Sequence, residues 1–281
     1  MKQLHNIKSF IFALLFIVNS TYCAHIIFDL GGVLIDTNLL KVTKEFGVYN
    51  FLQFAVHFNN PLNLRERFFT LLRKVPADSL NSYGAQDDTE KKLPPIMCDW
   101  LTGKKTNSQI KEEVYTFMEQ NPQLCNKGEK ELFKTIVDIT FTPTKLTRIR
   151  TIVKESFSFA KTCKEQGHDL YILSNWDKES FALICERFPD LFDLFDKDNI
   201  IISGEIGLIK PDPKIYDYFL EKYGLDPQQC IFFDDQEVNV KAAQKAGIHG
   251  VLCKGPNYKD MAKAVELFMQ NITDTPVNAA S

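Results

Sequence analysis

Four places in the sequence carry side chains that could do chemistry together. Asp29 ends a short apolar run that starts at His25. Ser174 and Asn175 end a second run, and Asp234 and Asp235 end a third. Lys210 stands in a glycine-punctuated stretch, residues 203–213, ahead of a helical pattern. Parallel sheets gather their chemistry outside the carboxyl ends of their strands, so these groups would meet at one rim. There they would supply a nucleophilic carboxylate, a hydroxyl, an ammonium and an acid pair. Neighbouring carboxylates repel, and one takes up a proton unless a divalent cation lies between them. A hard cation with oxygen ligands and spare water positions points to magnesium. With Lys210 and Ser174 it would neutralise a phosphoryl group, and Asp29 would attack phosphorus to form an aspartyl-phosphate that water hydrolyses.

The elements needed to position these residues can be read from the chain. A strand over residues 25–29 is broken by Gly31 and Gly32. No strand pattern occurs from about 39 to 144, where helical stretches cover 51–58, 64–75, 108–119 and 129–139. Residues 76–95 between them are polar and turn-rich and read as a long loop. Helical periodicity resumes over 146–166 and stops at Gly167. Strands over 169–174, 199–203, 230–234 and 248–253 then alternate with helices over 178–188, 213–223, 237–246 and 259–269. That alternation predicts an α/β fold, a three-layer Rossmann-like parallel sheet with an inserted, mostly α-helical cap. The expected division is a leader over 1–23, core over 24–38, cap over 39–144, core again over 145–270, and a frayed tail over 271–281.

Composition narrows the partners. With 33 basic and 36 acidic residues, the net charge of -3 argues against a nucleic-acid binder using a broad basic face. Apolar content of 44% and charged content of 25% exclude wholesale disorder, collagen-like sequence and a disulfide-dense miniprotein. Lys2 and Lys8, the apolar run over 10–18 and the small or polar Asn19, Ser20, Thr21 and Cys23 have the order of a secretory signal peptide. The run is well short of the roughly 20 residues that span a bilayer, so no stable membrane anchor is expected once the leader is gone. A first core helix is the alternative, which would leave the protein cytoplasmic rather than periplasmic or secreted. A cut after Cys23 leaves six cysteines, none paired at zinc-ligand spacing; an even number permits disulfides, and Cys98 with Cys125, from the same middle region, is the first candidate pair.

Four motifs, in this order and spacing, resemble the haloacid dehalogenase superfamily of hydrolases. They are Ile27-Phe28-Asp29-Leu30-Gly31-Gly32-Val33-Leu34, Leu173-Ser174-Asn175, Lys210-Pro211-Asp212-Pro213 and Phe233-Asp234-Asp235-Gln236-Glu237-Val238-Asn239. The resemblance covers residues 26–36 and about 147–252; the insert matches only in length and helical character. It implies that Asp29 is the nucleophile and that Ser174, Asn175 and Lys210 bind the substrate phosphate, Lys210 also touching Asp29. It further implies that Asp29, Asp235 and the Gly31 carbonyl hold magnesium, with Asp234 and Asn239 in support. The insert would cover the site and select a small phosphorylated metabolite.

One position departs from the usual phosphatase pattern. Many such enzymes carry a second Asp, a general acid and base, two residues after the nucleophile; here that residue is Gly31. General acid–base help is typically worth roughly 10²- to 10⁴-fold. Three readings stay open: a phosphatase whose leaving oxygens need little protonation, such as anomeric sugar phosphates; a substitute acid such as Asp36 or a cap residue; or a domain that binds phosphorylated ligands without turnover. The dehalogenase branch also lacks the second Asp but needs no metal, and the Asp234-Asp235 pair argues against it. Other phosphatases resembling this sequence share the Asp-Leu-Gly arrangement, which favours a working enzyme. Asp177 reads as a helix N-cap, Trp100 and Trp176 as packing residues, Lys104-Lys105 as a solvated turn, and His168 and His249 as structural.

Overall fold

The computed structural model describes residues 23–47, 50, 61–79, 93–255 and 258–274. The expected leader, all but Cys23, lies outside the described residues, as do the helix expected over 51–58, residues 80–92 of the expected loop and the end of the expected tail. The strands are β1 (His25–Phe28), β2 (Ile35–Thr37), β3 (Arg150–Ile152), β4 (Asp169–Ser174), β5 (Ile200–Ile202), β6 (Cys230–Asp234) and β7 (His249–Leu252). Five of them form one sheet in the order β5-β4-β1-β6-β7, and every pairing in it is parallel.

Near-continuous apolar runs such as Ile26–Phe28 and Cys230–Asp234 suit a sheet covered on both faces. Alternate side chains divide between the two sides. Ile26, Phe28, Leu170, Ile172, Ile231 and Phe233 pack against α7 (Lys154–Glu165), α8 (Lys178–Arg187) and α13 (Tyr258–Asp274). Ile27, Tyr171, Leu173 and Phe232 face α11 (Pro213–Tyr223) and α12 (Glu237–Lys245), while α9 (Pro189–Phe192) and α10 (Ser203–Ile206) are short turns of helix before them. The result is the expected three-layer α/β core. Phe28 aligns with Ile172 on one side and Phe233 on the other, so Asp29 is level with Asp234, and Ser174 lies one residue further along its strand.

Between β2 and β3 lie α1 (Leu39–Phe46), α2 (Pro61–Leu72), α3 (Pro95–Leu101), α4 (Asn107–Gln120), α5 (Lys127–Thr140) and α6 (Pro143–Arg148). They close around a separate apolar cluster that includes Phe68, Trp100, Val114, Phe133 and Phe141. The chain leaves and re-enters the sheet region along β2 and β3, which pair antiparallel with Thr37 opposite Arg150. This pairing corrects the helix expected over 146–166: α6 ends at Arg148, three residues join β2, and α7 starts at Lys154. At the other end α13 runs on to Asp274, into residues expected to fray.

Two further expectations fail. No disulfide forms among the described residues; Cys98 and Cys125 are both buried in the helical insert as thiols. Lys105 is not solvated: its ammonium is 2.9 Å from Glu113 and also near Asp78 and Asp99, which ties a loop to α3 and α4. No helix among the described residues is long and apolar enough to cross a membrane.

The insert is tied down over the sheet's rim by buried polar contacts. Ser203 Oγ donates to the Leu101 carbonyl at 2.6 Å, and Asn107 Nδ2 donates to Asp177 at 2.7 Å. Asn107 also accepts from Trp100 Nε1. The approach is close enough that a Cβ at Gly103 would lie 2.5 Å from the Gly204 carbonyl oxygen.

Candidate active site

Beyond Phe28 the chain turns sharply, with the amides of Leu34 and Ile35 both donating to the Leu30 carbonyl. Asp29 sits at the start of this turn, its amide bonded to the Phe233 carbonyl and its carboxyl buried beneath the cavity. Lys210 is 1% exposed. Its Nζ donates to Asp29 Oδ1 at 2.9 Å and to Asp234 Oδ2 at 2.6 Å. Burial alone would pull this ammonium's pKa down, but the charges of Asp234 and Asp29 outweigh it and hold Lys210 above its ordinary value. The Asp29 carboxyl is raised, chiefly by burial; Lys210 opposes the shift and Asp234 adds to it. Asp235 is pushed up to about 7 by burial and by the charges of Asp29 and Asp234.

This cluster fits a divalent cation. Carboxylate oxygens of Asp29, Asp234 and Asp235 lie within 4.8 Å of one another. Three carboxylates facing one ammonium leave two negative charges, and oxygen donors are what a hard cation takes. The close packing requires Gly32, whose φ is +74°: a Cβ there would lie 2.4 Å from Asp235 Oδ2. Asp234 is occupied already, accepting from Lys210, from both contacts of Asn239 Nδ2 and from the Gln236 amide. Asp235 instead faces the cavity, as Asp29 does. Asn239 therefore gives its expected support through Asp234.

Ser174 Oγ is buried beside Asp29 and has no partner at hydrogen-bonding geometry among the described residues, which leaves a donor for an oxygen entering the site. Asn175 does something not anticipated. Its Oδ1 accepts from the Lys210 amide and its Nδ2 donates to the Lys210 carbonyl, both at 2.9 Å. The side chain expected to meet substrate is engaged in clamping the main chain that presents the ammonium. Gly31 adopts no left-handed backbone, and a Cβ there would meet only Trp176 Cζ3 at 3.8 Å and Asp29 Oδ2 at 3.9 Å. The structure thus offers room for a side chain where the sequence has none.

Above this rim lies a cavity of about 550 Å³, walled by the insert and by the β2–β3 pair. Asp36 reaches it from β2 and is exposed, with Oδ1 accepting from the Thr37 amide. Asp177 caps α8 as expected, accepting from the Ser180 amide. Trp100 and Trp176 pack, as expected, and also form part of the cavity wall. Arg65 and Arg150 line the cavity too and had no signal in the sequence. Arg150 was hidden inside the misread helix, and only its pairing with Thr37 on β2 turns it towards the site.

A parallel sheet with this rim of acids and one buried lysine defines a recognisable class of hydrolase. The chain matches the haloacid dehalogenase-like hydrolases over residues 23–247, and it belongs to that family. Among solved structures, a family enzyme from Bacteroides thetaiotaomicron in complex with magnesium and inorganic phosphate is similar, with a TM-score of 0.53 and 22% identity. That match covers 85% of this chain and 98% of the other, and at such identity it supports the fold. Among curated relatives, a sesquiterpene phosphatase from Aspergillus oryzae is 33% identical over 94 residues, 34% of this chain and 46% of its own length. Bifunctional epoxide hydrolase 2 from Rattus norvegicus is 29% identical over 108 residues, 37% of this chain and 19% of its own. The chain thus spans less than half the length of either relative.

Proposed function

We propose that this hydrolase is a magnesium-dependent phosphatase of small phosphate monoesters, working through an aspartyl-phosphate on Asp29. The observation that carries this reading is the Lys210 ammonium held between Asp29 and Asp234, beside the open carboxylate of Asp235. The bond from Lys210 to Oδ1 orients the Asp29 carboxylate and favours its charged form, leaving Oδ2 to attack phosphorus. The Oδ2–phosphorus bond forms as the bond to the ester oxygen breaks, and the departing oxygen takes its proton from solvent. Water then attacks phosphorus, phosphate leaves, and the Asp29 carboxylate is restored. Ser174 donates to a phosphoryl oxygen; Asp234, Asn239 and Asn175 hold Lys210 in place. Magnesium, held by Asp29 and Asp235 and, by family resemblance, the Gly31 carbonyl, would supply neutralisation of phosphoryl charge. The helical insert acts as the cap that excludes water and selects substrate.

With Gly31 in place of an acid, esters whose leaving oxygens are weak bases, aryl or anomeric phosphates, are the favoured substrates. Gly31 also favours a second reading, a phospho-ligand-binding protein without turnover. A screen of phosphate monoesters with and without magnesium, on protein lacking residues 1–23, separates the two. Magnesium-dependent phosphate release is expected; ligand binding without release from any ester would overturn the phosphatase reading. Residues 1–23 are, on the same reading, an export leader, and the first residue of exported protein would be Ala24 on N-terminal sequencing.

A further inference from the structure

Arg150, the first residue of β3, enters the cavity from the β2–β3 pair and has no part in the chemistry above. Its guanidinium lies over the Trp176 ring, 5.2 Å from the centroid, and donates to Thr37 Oγ1 at 2.6 Å. Its Nε is buried and has no partner among the described residues. A guanidinium carries five N–H donors in a rigid fork, so most of this one's capacity is unused. The two acids whose charge reaches it are engaged elsewhere: Asp177 by Asn107 and Ser180, Asp36 by the Thr37 amide. Arg65 lines the same cavity from α2, its guanidinium over Phe69. The Trp176 indole connects the two ends of the site. One ring edge lies 3.8 Å from where a Gly31 Cβ would stand, a point 3.9 Å from Asp29 Oδ2, and Arg150 lies over the ring face.

We infer that Arg150, with Arg65 on the same cavity, binds a second anionic group, carboxylate or phosphate, of the substrate whose phosphoryl group sits at Asp29. A fork of N–H donors matches either group in a bidentate way, and the indole fixes its plane. The reacting phosphoryl group has its own cation in Lys210, so Arg150 remains for the far end of the molecule. The inference rests on the phosphatase reading for its substrate but not for its binding test. A purely structural role, tying β3 to β2 through Thr37, is the competing account.

The test compares phenyl phosphate with 4-carboxyphenyl phosphate and 1,4-phenylene bisphosphate, and includes 2-phosphoglycolate for a shorter span. Wild-type kcat/KM should favour at least one doubly anionic ester over phenyl phosphate by about tenfold or more, mainly through KM, as charge-assisted hydrogen bonds allow. Comparing the carboxylated and bisphosphorylated esters identifies the preferred anion. Arg150→Gln should bring the ratio close to one, and Arg150→Lys, with the charge but not the fork, should fall between. In parallel, calorimetry on the Asp29→Asn protein with magnesium compares phenylphosphonate with 4-carboxyphenylphosphonate. Tighter, Arg150-dependent binding of the carboxylated probe without hydrolysis of any ester would uphold the subsite and sink the phosphatase reading. Hydrolysis of phenyl phosphate with no preference for any doubly anionic ester would do the reverse. Should Arg150→Gln fail to fold by circular dichroism, the wild-type ratio and the Lys variant decide. A ratio that Arg150→Lys and Arg150→Gln leave intact would make the residue a tie between β3 and β2.

Discussion

Gly31→Asp should turn a slow phosphatase of alkyl esters into a faster one. Gly31 lies outside the left-handed region, and a Cβ there would make only ordinary contacts, at 3.8 and 3.9 Å. The backbone should therefore tolerate the change, and the loss of glycine freedom in the unfolded chain should contribute about 0.4–1 kcal/mol in its favour. The new carboxyl would stand beside Asp29, in surroundings that already push Asp235 up to about 7. Like charge and burial would hold it protonated near neutral pH, which is the form that can donate to a leaving oxygen. General acid–base catalysis contributes about 10²- to 10⁴-fold when well placed; an engineered residue should reach roughly the lower limit for alkyl phosphates. Aryl phosphates, with weakly basic leaving oxygens, should gain much less. The wild type lacks the same group for activating water, so it should show a burst and accumulate phosphorylated Asp29. The assay is the ratio of single-turnover rates of alcohol release from propyl and phenyl phosphate at saturating magnesium, which reads the phosphorylation step alone, with circular dichroism to establish folding. An unchanged ratio in a folded variant would refute the reasoning and show that another group, Asp36 being one within the cavity, already supplies the proton.

Asp29→Asn should reduce turnover by at least about 10⁴-fold while the protein still folds, because Lys210 keeps Asp234 as a partner; phosphate release and circular dichroism check both halves. Asp235, raised from 3.8 to about 7, binds a proton in the folded chain that the unfolded chain has released, so its contribution to stability is present below about pH 4 and lost as pH rises through 7. Metal-free protein should accordingly melt lower at pH 8 than at pH 5, and magnesium, which competes with that proton, should bind more tightly at the higher pH; equal affinities at both would contradict this. Gly32→Ala should weaken magnesium binding in calorimetry, since its Cβ would strike the Asp235 carboxylate and its φ of +74° disfavours any side chain. Asn107→Ala should cost about 1–3 kcal/mol in urea unfolding by stranding Trp100 Nε1 and removing one of the donors to Asp177, and should raise KM as the insert loses a tie to the rim.

Residues whose role follows from strand ends were legible in the sequence. Asp29, Ser174 and Asp234 each close an apolar run, and the run alone fixes where the strand stops. Lys210 needed its motif, because nothing local marks a lysine that will be buried against two acids from distant strands. What escaped was set by pairing across the chain. Residues 150–152 carry a helix-compatible pattern, and only hydrogen bonding to Ile35–Thr37 makes them a strand. Arg150 escaped with them. The family resemblance makes Asn175 a substrate contact, yet its amide meets the main chain 35 residues later. Lys105 looked solvated for the same reason: its partners Asp78, Asp99 and Glu113 come from different elements of the insert. The Cys98–Cys125 bridge rested on parity and proximity in sequence, neither of which places two sulfurs together.

The placing of β1 has a consequence for the order in which the molecule comes into being. It is the first strand of the sheet to be synthesised, yet it occupies the middle, and its two neighbours are β4 and β6. Its edges stay bare until Asp169–Ser174 and then Cys230–Asp234 have left the ribosome, and contacts of such long sequence separation form slowly. The catalytic carboxylate is therefore made early and armed late, since Lys210, Asp234 and Asn239 all arrive after Ser174. Until then Asp29 is an ordinary acid on an unpaired, aggregation-prone strand, in need of a chaperone more than a substrate. A chain carried through a membrane as an extended thread, as the leader reading proposes, would stay silent throughout the passage and gain its activity only once the last strands had closed around the first.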